Sequence, residues 1–332
     1  MPREFLFSGT VFANYAGSWS QGSHDNVSFE NPELYKQWDA SLAMGGPIMR
    51  DRVWYFVNGR TQGATRYIPN IYYNKNAGDP TKWLYEPDKT EGGNVAAIVA
   101  KAKAAGLSHL YVRTGSSWNG FYAADFLDQI LPAAHEADLM VYGWDFPRLI
   151  NVAEDVRRAK AAIDHRAPGK HRLDGFSADI ETRSEGTQIT AEAAATYGRL
   201  LRAEVGSGYP LIATVPRPSP AQNYPYAQVV ESFDAIAPMV YWLNRQPDTD
   251  VAGALRDLAQ FNKPVFPVGQ AYDGAPEGGP AGDPSGAAIT QFLKASMESG
   301  SVAVSFWVWH HATGEQWSAI EDARAWELRH AR

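Results

Sequence analysis

The chain has 332 residues, a formal charge of −7 and no cysteine, which excludes disulfides, thiolate catalysis and cysteine-built metal sites. The acidic balance and the lack of any Lys/Arg cluster argue against a nucleic-acid or anionic-membrane partner. No apolar run reaches the length of a membrane helix, so no membrane insertion is expected. The opening MPREFLFSGTVFANY lacks the basic-then-apolar signature of a signal peptide, so a chain kept inside the cell is expected unless a leader precedes it. The 11 Trp and 16 Tyr are core material first, but they are also the usual platforms for sugar rings.

Residues 1–81 and 82–332 follow different grammars. In the first stretch, SGTVFANYAGSW, WDASLAMGGPIMRDRVWYFVNGRTQG and RYIPNIYYN alternate aromatic and polar residues around Gly, Asp and Arg turns, which predicts antiparallel hairpins. From residue 96 onward, short β-branched runs alternate with helical patterns. The run 96–106 is a helix stopped by Gly106, and 109–114 is a strand. A helix over 123–137 leads to the strand 139–146, and a helix over 152–164 leads to the strand 173–181. The helix TAEAAATYGRLLRAEV has Thr190 as its N-cap, and the strands 210–216 and 233–242 follow. A helix over 250–261, a strand over 264–272, a helix over 286–300, a strand over 302–310 and a last helix from 314 complete the series. That makes seven strands, and KWLYE (82–86) is the only apolar candidate for an eighth ahead of the first helix. The expected fold is therefore α/β: a (β/α)8 TIM barrel over 82–332, preceded by a β-rich segment over 1–81. An open doubly wound sheet would carry a Gly-rich first turn, and none is present.

In such a barrel, functional groups belong at the C-terminal ends of the strands. Those ends carry Arg113, Trp144, Asp145, Asp179, Glu181, Arg217, Tyr241, Trp242, Gln270, Tyr272, Trp307, Trp309 and His310. The set is rich in acids and aromatics, which suits a sugar site. Within LDGFSADIETR, alternation puts Ser177, Asp179 and Glu181 on one face and Phe176, Ala178 and Ile180 on the other. The apolar set suits the layer under the helices, so the polar set points into the barrel, with Glu181 at the rim and Asp179 roughly 6–7 Å deeper. A neighbouring carboxylate and burial both raise a carboxyl pKa, and a Glu still protonated near neutrality can act as a general acid. The other reading is a pair neutralised by Arg113, Arg183 or Arg217. Asp145 is either a further site carboxylate or a loop cap. Trp307 and Trp309 share a face as barrel packing or as a sugar platform. His310 and His311 are adjacent and point opposite ways on a strand, and no phosphate-binding glycine motif or nucleophile elbow occurs, so neither a metal nor a cofactor is expected.

Two resemblances add to this. GGPIMRDRVWYFVNGRTQGATRYIPN and NAGDPTKWLYEPD resemble a stretch of the barrel of TonB-dependent outer-membrane receptors, covering roughly residues 4–88. A few strands of such a barrel cannot close, so this part is expected to be either a passive leader or a β-rich accessory domain. DGFSADIE (174–181) is similar to the D-G-x-D-x-D-x-E signature of glycoside hydrolase family 18, the chitinases and their relatives. Asp174, Asp179 and Glu181 fall on three of its four acids, and Ser177 stands where the family has another Asp. APMVYW (237–242) matches that family's Met-x-Tyr motif through Met239 and Tyr241, with Trp242 in place of the following Asp. SFWVW (305–309) is similar to its final strand, whose Trp floors the sugar subsite. A D-x-E pair at a strand end also resembles the lysozyme-type muramidases of family 25.

The resemblance implies a glycoside hydrolase acting on a β-linked, N-acetylated polysaccharide such as chitin or peptidoglycan glycan. Glu181 would protonate the glycosidic oxygen, the substrate's acetamido oxygen would attack the anomeric carbon, and Asp179 and Tyr241 would hold that amide. Asp145, Trp144, Arg113, Trp242, Gln270, Tyr272, Trp307 and Trp309 are the expected substrate contacts. A monomer is expected, and the resemblance implies a secreted or cell-envelope protein. The competing reading is a non-catalytic carbohydrate- or cell-wall-binding barrel.

Overall fold

The computed structural model describes residues 8–17, 34–49, 52–66, 90–219 and 223–330. The chain divides into two compact units, Met1–Ala77 and Gly78–Arg332.

The first unit holds a three-stranded sheet of β1 (Ser8–Gly17), β2 (Leu34–Met49) and β3 (Val53–Arg66). Both pairings are antiparallel, with β2 in the centre, as the alternating pattern predicts. Directly paired residues share a face. Trp38 lies opposite Tyr15 and Gly63, and Leu42 lies opposite Val11, on one face. The other face pairs Asp39 with Asn14 and Gln62, and Ser41 with Phe12 and Arg60. On that face Arg60 grips Asp39 through two hydrogen bonds of 2.9 and 2.6 Å. Gly63 is needed for a steric reason: a Cβ there would stand 2.2 Å from the Trp38 ring.

In the second unit strand and helix alternate. The strands are β4 (His109–Ser116), β5 (Gly120–Phe121), β6 (Met140–Phe146), β7 (Gly175–Asp179), β8 (Leu211–Pro216), β9 (Ala235–Val240), β10 (Val268–Gln270) and β11 (Ser305–Trp307). Between and after them lie α1 (Val95–Ala104), α2 (Ala124–Glu136), α3 (Val152–Asp164), α4 (Ala191–Val205), α5 (Tyr226–Val230), α6 (Pro247–Leu258), α7 (Gly286–Glu298) and α8 (Gly314–His330). Thr190 caps α4 by accepting from the Ala193 N–H at 3.0 Å, and Asn94, Asn151 and Ser285 cap α1, α3 and α7 in the same way.

These strands form one sheet in the order β11-β10-β9-β8-β7-β6-β4-β5, parallel throughout except for the short hairpin arm β5. The sheet curls until its two ends approach: His109 on β4 and Ser305 on β11 are joined side chain to side chain at 2.9 Å. This is the expected (β/α)8 barrel. The expected first strand, 82–86, and with it the junction at 81/82, lies outside the described residues. The two-residue arm β5 is not foreseen in the sequence.

Alternation divides each strand between two cores. Phe176, Ala178 and Ile180 are fully buried beneath the helices, in one cluster with Leu127, Ile130, Val141 and Leu201. A smaller cluster inside the barrel joins Ile212, Ala235 and Ala237 with Tyr111, Tyr142 and Phe266. It plugs the barrel from below and forms the floor on which the acidic residues sit.

Asp145 follows the outward set of β6, with Val141 and Gly143, and is 0% exposed. There it accepts from Arg158 Nε of α3 at 2.8 Å, while Arg158 Nη1 donates to Asp155 at 2.7 Å. Asp155 also receives the Ser117 hydroxyl and the Leu149 N–H, so the loop after β6 is pinned to α3. Removing one member of such a buried network leaves an uncompensated charge. Arg158→Leu is expected to destabilise the fold by about 3–5 kcal/mol, read as a lower denaturation midpoint.

Candidate active site

A cavity of about 970 Å³ opens at the C-terminal ends of the strands, within the range usual for small-molecule sites. Its wall includes Ser177, Asp179 and Glu181, in the inward set that alternation predicts. Ser177 is buried at the bottom, and its hydroxyl meets the Thr214 hydroxyl at 2.7 Å. The two residues sit one pairing apart, since Ser177 lies beside Ile212 and Asp179 beside Thr214. Ser177 is thus satisfied across to β8 and makes no bond to Asp179. One Asp179 oxygen, Oδ1, is buried without a hydrogen-bond partner. Tyr224 fixes the strand end by donating to the Ile180 carbonyl at 2.6 Å.

None of the three arginines that might neutralise the acids is spent on them. Arg183 donates to the Ile189 carbonyl, Arg217 pairs with Asp250 at 2.9 Å, and Arg113 stacks over Trp144 with its guanidinium carbon 5.0 Å from the ring centroid. The pair therefore meets desolvation with little compensation. Burial raises the Asp179 pKa well above the usual carboxylate range, the Glu181 charge adds to this, and the Arg113 charge opposes it. Burial likewise pushes Glu181 up to about 7, helped by the charges of Glu185 and Glu277 and opposed by a backbone hydrogen bond from Thr182. Two carboxyls that repel in a poorly solvated cleft hold a proton between them near neutrality.

The other expected residues divide into those that reach the cavity and those that do not. Arg113, Trp144, Tyr241 and Trp307 line it. Trp144 and Trp307 meet edge to face at 5.4 Å and 81°, giving an aromatic wall capped by Arg113. Burial raises the Tyr241 pKa far above the ordinary phenol value and the Asp179 charge adds to it, so its hydroxyl keeps its proton. Tyr272 stands behind, edge-on to Tyr241 at 5.4 Å.

Asp145, Trp242, Gln270 and Trp309 lie elsewhere. Asp145 belongs to the Arg158 network below the helices. Trp242 is 3% exposed and packs against Phe292 in the outer core, because it neighbours the inward Tyr241 and must face the other way. Gln270 is buried and ties two loops, accepting from the Leu243 N–H at 2.9 Å and donating to the Tyr272 carbonyl at 3.1 Å. Trp309 packs on Trp317 at 4.6 Å and donates to Glu91 at 3.0 Å. Asp174, the first acid of the signature, is a strand-start clamp that accepts from the Val141 N–H and contacts His135. Thr214, on the inward face of β8 beside Asp179, lines the cavity too, and Glu185, Arg245 and Glu277 reach it from loops; none of the four is singled out by the sequence. Among the described residues, no group of three or more His, Asp or Glu is arranged to hold a metal ion, and no helix is long and apolar enough to cross a membrane.

No family model and no curated protein matches the sequence. The structure is similar to that of a GH18 chitinase from Pseudoalteromonas aurantia, at 14% identity and a TM-score of 0.53, covering 69% of this chain and 96% of that one. It is also similar to a GH99 endo-α-mannosidase from Bacteroides thetaiotaomicron, at 15% identity and a TM-score of 0.51, covering 72% and 80%. A GH113 β-1,4-mannanase matches at 10% identity and a TM-score of 0.51, over 70% and 93%. At such identities the likeness is one of fold: the second unit has the barrel found in glycoside hydrolases. The receptor-like pattern of residues 4–88 finds no support in these likenesses.

The raised Glu181 pKa has a consequence for stability. The folded protein holds this proton to a higher pH than the unfolded chain, so stability falls as pH rises from the unfolded value of 4.5 to about 7. Glu181→Gln removes the penalty. It is expected to raise the melting temperature at pH 8, by an amount corresponding to on the order of 1–3 kcal/mol, with no gain at pH 4, as read by calorimetry at the two pH values.

Proposed function

We propose that the protein is a glycoside hydrolase acting on a β-linked glycan, with Glu181 as the general acid. The observation that carries this is the Asp179–Glu181 pair: two carboxyls in a 970 Å³ cleft, without an ion-pair partner among the described residues, facing an aromatic wall. A carboxyl that keeps its proton near neutrality can deliver it to a glycosidic oxygen as the C–O bond breaks. Trp144 and Trp307 supply flat apolar surface for sugar rings, and Arg113 supplies donors for hydroxyls at its edge. An N-acetylated polymer such as chitin or peptidoglycan glycan is the finer reading. There Asp179 and the protonated Tyr241 hydroxyl would hold the acetamido group as its oxygen attacks the anomeric carbon, a substrate-assisted route.

One observation favours the second reading, a barrel that binds such glycans without cutting them. Ser177 stands where a third inward carboxylate would share a proton with Asp179, and it is bonded to Thr214 instead. The two readings part in one assay of wild type and Glu181→Gln against chitin and peptidoglycan oligosaccharides. The hydrolase reading expects turnover by the wild type and a loss of about 10²–10⁴ in the variant, with binding retained. It also expects wild-type activity to decline as pH rises through about 7, because the acid form of Glu181 is then lost. Retention of these glycans without turnover would support the binding module, and full activity in Glu181→Gln would remove the assignment of the acid.

A further inference from the structure

We infer that Glu277 is a second catalytic carboxylate, acting as general base on the water that attacks the anomeric carbon, so that the site does not depend on an acetamido group in its substrate. The inference rests on the hydrolase reading above and adds to it a residue from the other side of the cleft.

Glu277 stands on the loop that follows β10, and its side chain lines the same cavity as Glu181. That loop is built to hold it. At its root, Gln270 bonds the Tyr272 carbonyl and the Leu243 N–H, which ties the ends of β10 and β9 together. Asp273 Oδ1 then accepts from the N–H groups of Ala275 at 2.9 Å and Gly282 at 3.1 Å, closing the loop on itself. Inside this ring the Glu277 and Gly279 N–H groups both donate to the Gly274 carbonyl, at 3.0 and 2.9 Å. A Cβ at Gly274 would press on Leu243 Cδ2 at 2.7 Å and Gln270 Nε2 at 2.8 Å, the side chains at the loop's root. The last element is the Tyr272 hydroxyl, which lies 2.9 Å from each Glu277 oxygen and donates to the carboxylate. Tyr272 is only 9% exposed and braced by Tyr241, so the donor is fixed.

The two glutamates are thus given opposite treatment. Glu181 is half-buried and charge-crowded, which favours its protonated form. Glu277 is solvent-exposed, and a fixed phenol holds both of its carboxylate oxygens in place at the cleft. An acid and a base kept apart in this way across one cleft are what direct glycoside hydrolysis requires. The step balances: a water oxygen bonds to the anomeric carbon while Glu277 takes a proton from that water. The bond from the anomeric carbon to the glycosidic oxygen breaks, and its electron pair stays on the oxygen, which receives the Glu181 proton. Each sugar leaves with a hydroxyl, and proton exchange with solvent resets the pair.

A reaction run by the substrate's own amide oxygen gives Glu277 no task, so the test uses sugars with and without that group. Wild type, Glu277→Ala, Tyr272→Phe and Glu181→Gln, each as the full chain and checked by circular dichroism, are assayed on β-linked gluco- and manno-oligosaccharides and on their N-acetylated counterparts. The expected result is wild-type turnover of an unacetylated substrate and a loss of about 10²–10⁴ in Glu277→Ala. Azide, a nucleophile that needs no deprotonation, should restore that variant and leave a glycosyl azide as product. Tyr272→Phe should lower kcat with little change in KM. The inference alone is overturned if the wild type is active and either requires the acetamido group, or loses less than tenfold in a folded Glu277→Ala, or loses activity that azide does not restore. A wild type inert on the whole panel overturns the hydrolase reading, and this inference with it.

Discussion

Apolar packing at the floor of the barrel leaves its acids poorly solvated, and everything proposed for the site depends on that. Ile212, Ala235, Ala237, Tyr111, Tyr142 and Phe266 pack inside the barrel, and Tyr111, Ala237 and Phe266 line the same cavity as the half-buried Asp179 and Glu181. An ionised carboxylate loses solvation there and gains nothing unless a cation or donor replaces it. The neighbouring cations have other duties: Arg217 and Arg245 both serve Asp250, and Arg113 lies on Trp144. The remaining response is to keep a proton, and a kept proton is a chemical capability.

Arg158 provides a useful contrast within the same barrel. It lies beneath the helices, between Asp145 and Asp155, and pairs with both, which fixes the loop, although burial still pushes Asp145 up to about 7. Inside the barrel mouth a like-charged pair is left unbalanced at a cost to stability that falls on the site alone. Local conflict between folding and charge is where function is expected to concentrate. The two networks divide by strand parity alone, since Trp144 and Asp145 are neighbours on β6 and face opposite ways.

Parity also explains how far the sequence could be read. It was enough to put Ser177, Asp179 and Glu181 in the cavity and Phe176 and Ile180 under the helices, because one strand's alternation needs no knowledge of its neighbours. The same count applied to Trp144–Asp145 and Tyr241–Trp242 would have released Asp145 and Trp242 from the expected contacts, as adjacent strand residues cannot share a face. Gln270 escaped that logic. It points inward, but its polar atoms are used by Leu243 and Tyr272, which depends on how two loops meet. Trp309 lies past the end of β11, where alternation no longer holds, and its partners are Glu91, far back in the chain, and Trp317 on the next helix. Glu185 and Glu277 were missed for the converse reason. Both reach the cavity from loops, where alternation along a strand says nothing of direction.

The chemistry proposed for the cleft depends on the proton at Glu181. A carbon-detected NMR titration of the glutamate side-chain carboxyls, with Glu181 assigned from the Glu181→Gln spectrum, measures it directly. The Glu181 resonance is expected to inflect near pH 7, far from the exposed glutamates. An inflection in the ordinary carboxylate range, about 4.3, would contradict it, leaving the cleft with an ionised pair and no acid to give.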